Sequence, residues 1–124
     1  MIQYIASDVD GTLLHGHATT LNPELFDIIR QLKERGIHFI AASGRQYENL
    51  RHLFAPVKDD ISYVAENGSM CVHDDKIVSL GHIDTDLIYE IADAAKEYGH
   101  CHTLISTART GYTDSKDSDY IDHI

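Results

Sequence analysis

Two aspartates one residue apart, Asp8 and Asp10 in the run "DVDGTLL", end the first apolar stretch of the chain. Carboxylates held this close repel each other unless a cation or a shared proton lies between them. A hard divalent cation with oxygen ligands, most naturally Mg2+, resolves the conflict. The same cation would neutralise an incoming phosphate and leave one carboxylate free to attack phosphorus. A bare Asp-x-Asp pair is as often a polar turn. Here the context is more specific, because the β-prone run "IQYIAS" leads straight into the pair and Gly11, Thr12 and two leucines follow it. Gly11 gives the backbone the freedom to turn tightly.

Two further runs carry chemistry. In "AASGR", the Ser43 hydroxyl and the Gly44 backbone can donate to a phosphate, helped by N–H groups at the start of the following helix. Alone, Ser43 would read as an ordinary helix cap. In "AENGS", Asn67 either lines a ligand or serves as a turn residue that tolerates a left-handed backbone. Glu66 beside it reads as a solvated charge in preference to a residue that backs a metal ligand.

These residues need strands to present them, and the flanking sequence supplies three. Ile2 to Ser7, Ile37 to Ser43 and Ile61 to Gly68 are short apolar runs that read as buried strands. Between the first two lies "LNPELFDIIRQLKERG". Asn22 can cap it, Pro23 suits its first turn, and Gly36 ends it. Leu25, Ile28, Ile29 and Leu32 share its apolar face. A second helix is expected from Gln46 until Pro56 interrupts. Strand–helix–strand–helix–strand order implies a parallel sheet covered by helices. In such sheets ligands collect at the carboxyl ends of the strands, where all three motifs fall.

The pattern changes near residue 80. A hairpin is expected about "HDDK", then a helix in "TDLIYEIADAAKEYG" with Leu87, Ile88, Ile91, Ala92 and Ala95 on one face, and a strand in "CHTLIST". The polar, acidic "GYTDSKDSDYIDHI" that closes the sequence suggests no core-forming element. Residues 1–80 therefore read as one α/β part, and residues 81–124 as the beginning of another.

With these motifs in place, the chain resembles the haloacid dehalogenase superfamily, in its Cof-type sugar-phosphate phosphatase layout with a class IIB cap. "DVDGTLL" resembles its first signature, "SGR" its second, and "ENGS" a substrate-lining stretch. The resemblance implies a Rossmann-type parallel sheet with helices on both faces, followed by the start of an α/β cap domain. It implies Asp8 as a nucleophile that becomes an aspartyl-phosphate, and Asp10 as general acid and base. Both would bind Mg2+, Asp10 through its main-chain carbonyl. Gly11, Thr12, Ser43, Gly44, Arg45 and Asn67 would contact phosphate or substrate, a small phosphorylated metabolite such as a sugar phosphate. The family's Lys signature and its later Gly-Asp signature have no clear counterpart. Asp114, Asp117 and Asp119 with Lys116 imitate the latter, but Thr113 stands where the glycine should be. A solvated acidic loop is the plainer reading.

Composition narrows the partners. With 20 acidic against 10 basic residues, a formal charge of −10 argues against nucleic acid and anionic membranes. Nine histidines would remove part of that charge near pH 6. His15 and His17 beside the aspartates suggest a transition metal only weakly, and His100 and His102 around Cys101 lack a second half-site. Cys71 and Cys101 read as free thiols. Without a targeting segment or an apolar run of spanning length, a soluble cytoplasmic protein is expected. An unfinished sheet would expose apolar edges and favour self-association. Lacking two signatures, the chain alone is expected to be weak or inactive. A receiver-like phospho-acceptor module, and an inactive truncated protein with a binding role, are the alternative readings.

Overall fold

The computed structural model of the chain describes residues 1–113, 115 and 116. They form two compact units, Met1–Gly81 and His82–Ile124.

In the first unit β1 (Tyr4–Asp8), β2 (His38–Ala42) and β3 (Ser62–Ala65) run parallel. The antiparallel hairpin β4 (Met70–His73) and β5 (Lys76–Leu80) continues the sheet, in the order β1-β2-β3-β4-β5. Helices α1 (Pro23–Glu34) and α2 (Tyr47–Leu53) make the two crossovers. Both crossovers advance the same way across the sheet. Right-handed connections then bring both helices to the same face. The core agrees, since Ile29 of α1 and Leu50 and Phe54 near α2 join Phe39, Ala41 and Tyr63 in one buried cluster. The expected α/β class is observed, with α1 and α2 sharing that face.

Helix α1 begins and ends where its sequence directs. The Asn22 side chain accepts the Glu24 N–H at 3.0 Å. At the other end the Ile37 and Gly36 N–H groups return to Leu32 and Lys33 carbonyls at 2.9 and 3.0 Å, with Gly36 at φ +71°. This double closure satisfies carbonyls that a helix end otherwise leaves to water. Ile28, expected on the buried face, is half exposed, and Phe26 packs against the core instead. The sheet surface reaches one side of the turn only, so the apolar stripe sits slightly rotated.

The expected hairpin turns through Asp74 and Asp75, both at positive φ, as two-residue hairpin loops require. Arg51 of α2 ties it down, donating to Asp75 at 3.1 Å and to Asp59 at 3.0 Å. At the amino end of the parallel layer, the Ser62 hydroxyl lies 2.8 Å from His38 Nε2 and 2.7 Å from His73 Nδ1. Burial lowers the proton affinity of His38, and the neighbouring His73 lowers it further.

The second unit holds α3 (Thr85–Tyr98) and an antiparallel pair, β6 (Leu104–Ser106) with β7 (Gly111–Thr113). Gly99 closes α3 at φ +73°. Ile88, Ala92 and Ala95 of the expected apolar face are partly buried, whereas Leu87 and Ile91 are exposed. Strand β7 falls in the polar, acidic stretch, for which no strand is expected from sequence. A turn closed by Thr107 N–H on the Thr110 carbonyl, 2.8 Å, folds that stretch back onto β6. Among the described residues no helix is long and apolar enough to cross a membrane.

Candidate active site

The first motif is built around Val9. Its side chain is fully buried, and its carbonyl accepts the N–H groups of Thr12, Leu13 and Leu14 at 3.3, 2.9 and 2.8 Å. Gly11, at φ +82°, donates back to the Leu14 carbonyl at 2.8 Å. The loop is thus wound on one backbone oxygen and pinned by buried Leu14. Alternation about Val9 leaves the flanking Asp8 and Asp10 exposed together. The Thr12 hydroxyl donates to Asp8 Oδ2 at 3.2 Å, which orients that carboxylate.

The second motif arrives by strand register. Asp8 pairs with Ala42, so Ser43 begins where β1 releases its first aspartate. Arg45 turns back onto Asp10, with Nε 2.9 Å from Oδ2 and Nη2 2.7 Å from Oδ1. The Ser43 hydroxyl reaches the same Oδ2 at 3.4 Å and accepts the Arg45 N–H at 3.1 Å. Hydrogen bonding from Arg45 holds the Asp10 carboxyl below the usual carboxylate range, against a smaller effect of burial. Asp10 in turn raises the proton affinity of Arg45.

Of the backbone donors near this motif, Ser43 N–H is already engaged. Helix α2 starts only at Tyr47, and Ser43 N–H is taken by the Val64 carbonyl at 2.9 Å. Residues 43–45 are therefore a loop extending the sheet and not a helix start. The third motif braces this loop. Asn67 N–H donates to the Ser43 carbonyl at 3.2 Å and Glu66 N–H to the Arg45 carbonyl at 3.1 Å. Both residues sit in the left-handed region, at φ +53° for Glu66 and +56° for Asn67. The Asn67 side chain packs so closely on Gly44 that a Cβ there would lie 2.8 Å from its Oδ1. Glu66, expected only as a solvated charge, thus has a backbone role; nothing local in "AENGS" signals a strained glutamate.

Asp8, Asp10, Gly11, Thr12, Ser43, Gly44, Arg45 and Asn67 thus all lie at the carboxyl ends of the three parallel strands. His15 and His17 are exposed, and among the described residues no cluster of three or more His, Cys, Asp or Glu could hold a metal. The imitation of a later signature at Asp114, Asp117 and Asp119 lies outside the described residues. Cys71 and Cys101 are free thiols, and Cys101 Sγ donates to the Ala95 carbonyl at 3.6 Å.

Residues 5–124 match the family model of haloacid dehalogenase-like hydrolases. A 5-amino-6-(5-phospho-D-ribitylamino)uracil phosphatase of Escherichia coli is 30% identical over 118 residues, spanning 95% of this chain and 44% of its own length. Phosphoglycolate phosphatase of Sulfolobus acidocaldarius is 33% identical over 78 residues, spanning 62% of this chain and 34% of its own length. The structure of SMU.1108c from Streptococcus mutans superposes with a TM-score of 0.87 at 25% identity, over 99% of this chain and 47% of that one. The chain spans less than half the length of each of these relatives. Motifs, topology and these likenesses agree: the chain belongs to the haloacid dehalogenase-like hydrolases.

Proposed function

We propose that the chain carries the nucleophile and phosphate-binding side of a Cof-type, Mg2+-dependent phosphomonoester hydrolase. Its substrates are small phosphorylated metabolites such as sugar phosphates. The observation that carries this reading is the exposed pair Asp8 and Asp10, facing the Ser43–Arg45 loop across adjacent strand ends. The phosphatases among its relatives support the same chemistry. The first unit serves as the core domain, and residues 81–124 open a cap that selects the substrate.

Asp8 attacks phosphorus with the oxygen that Thr12 does not hold, and the ester oxygen leaves with a proton from Asp10. Asp10 takes that proton up from solvent once its carboxylate is freed from the Arg45 fork that otherwise keeps it ionised. The resulting aspartyl-phosphate is cleaved by a water that gives its proton back to Asp10, releasing phosphate and restoring the Asp8 carboxylate. Ser43, Gly44 and Arg45 hold the phosphoryl oxygens, and Asn67 seats their loop. The Asp8 carboxylate and the Asp10 main-chain carbonyl are hard oxygen donors. They fit a small dication that keeps most of its water and uses one or two carboxylates. Mg2+ held there would offset the negative charge of the phosphate.

The test is hydrolysis of p-nitrophenyl phosphate with and without Mg2+, beside Asp8→Asn. Metal-dependent turnover that vanishes in the variant supports the reading. Phosphate binding without turnover fits a chain that carries only this side of the site, a long-lived acyl-phosphate supports a receiver-like module, and neither binding nor turnover overturns the reading.

A further inference from the structure

Arg45 grips Asp10 with two parallel hydrogen bonds, and Ser43 adds a third contact to the same carboxylate. Both oxygens of Asp10 are therefore engaged by the Ser43–Arg45 loop. Asp10 occupies the Nε–Nη2 edge of Arg45, so a phosphoryl group can take that two-donor edge only by displacing the carboxylate. The pair is solvent-accessible, with the two side chains 40% and 54% exposed. Pairs this exposed hold by no more than about fivefold in equilibrium terms. A phosphate dianion offers the same guanidinium more charge and a matching two-oxygen edge. Ser43 sits between the two arrangements, since its hydroxyl touches Asp10 and accepts the Arg45 N–H.

We propose that Arg45 is an exchange clamp: it holds Asp10 aside until a phosphate monoester arrives, then transfers to the phosphoryl oxygens and releases Asp10 toward the leaving group. No bond is made or broken beyond hydrogen bonds, and the fork simply changes acceptors. The clamp rests on the phosphatase reading and adds a substrate-triggered step to it. Arg45 touches substrate in the second arrangement and positions Asp10 in the first. Asp10 thereby competes with phosphate for one guanidinium, so removing the Asp10 charge should help phosphate to bind, and only while Arg45 is present.

The test is binding of inorganic phosphate to the full chain in one Mg2+-containing buffer, comparing the native protein, Asp10→Asn, Arg45→Gln and the double variant. Titration is followed by the Ser43 and Gly44 amide signals and the Arg45 Nε–H signal. The expected results are a shift of Arg45 Nε–H on saturation and affinity roughly 2–5-fold tighter in Asp10→Asn. Arg45→Gln should weaken binding roughly 10-fold or more, and the gain from Asp10→Asn should disappear in the double variant. If phosphate moves the Ser43 and Gly44 amides but not Arg45 Nε–H, the clamp is wrong and the phosphate site stands. The clamp is equally wrong if the gain persists without Arg45, because then simple charge removal explains it. If phosphate moves none of these signals, the phosphatase reading fails and the clamp with it.

Discussion

The contact between Gly44 and Asn67 allows a sharp test of how the Ser43–Arg45 loop, proposed to bind phosphate, is held. Gly44 lies outside the left-handed region, so an added methyl brings no backbone strain, only collision. In Gly44→Ala that methyl would meet Asn67 Oδ1 at 2.8 Å, Nδ2 at 3.2 Å and Cγ at 3.3 Å. Comfortable separations are roughly 3.5–4.0 Å, so the carboxamide must retreat by about 0.5–1 Å. Forcing a methylene into a packed site costs about 1–3 kcal/mol. Asn67 is exposed and can swing outward, so the lower end, about 1 kcal/mol, is expected in urea unfolding. The larger effect should fall on phosphate affinity, because Asn67 N–H is tied to the Ser43 carbonyl and drags the loop with it. A loss of roughly tenfold corresponds to about 1.4 kcal/mol. Asn67→Gly removes the obstruction while keeping a residue suited to φ +56°. The double variant should therefore recover most of the stability lost in Gly44→Ala, with a coupling of about 1 kcal/mol. A neutral Gly44→Ala, or strictly additive effects in the pair, would refute the reasoning.

Other outcomes follow from the same structure. Phe54 is fully buried against Phe39, and Phe54→Ala should lower unfolding free energy by about 3–5 kcal/mol, read by denaturant titration. Asn22→Ala removes the α1 cap and should cost about 1 kcal/mol in the same assay. His38 binds a proton less readily in the fold than its ordinary value near 6.5, owing to burial, His73 and Lys33, with Asp74 opposing. The unfolded chain then holds more protons below that value, so this contribution is present above pH 6.5 and lost as pH falls. Thermal melts from pH 7.5 down to 5 should show the decline, and His38→Gln should flatten it. An unchanged slope would show that His38 titrates alike in both states.

The parallel layer was legible because its signals are local. Asn22, Pro23 and Gly36 punctuate α1, and each strand is a short apolar run that stops at a motif. The site candidates were legible for a related reason, since Asp8, Asp10 and Ser43 each stand at a strand end. What sequence could not convey depends on distant partners. The Arg45 fork on Asp10 spans 35 residues, and the His38–Ser62–His73 contact joins three strands. Strand β7 was hidden because Gly111–Thr113 is short and polar, and only its turn from Thr107 to Thr110 pairs it with β6. The rotated face of α1, with Phe26 inward and Ile28 outward, depends on which flank the sheet covers.

The order of the strands also sets a timetable. Sheet neighbours follow one another along the chain, and every residue proposed to face phosphate lies between positions 8 and 67. At about 5–20 residues per second, the ribosome delivers the first 81 residues in roughly 4–16 s. The loop wound on Val9, its brace and the Arg45–Asp10 pair can then close while the second unit is still being made. During that interval the pair neutralises a charge that would otherwise stand bare on a growing chain. The contact proposed to compete with phosphate thus also gives the nascent sheet a settled end.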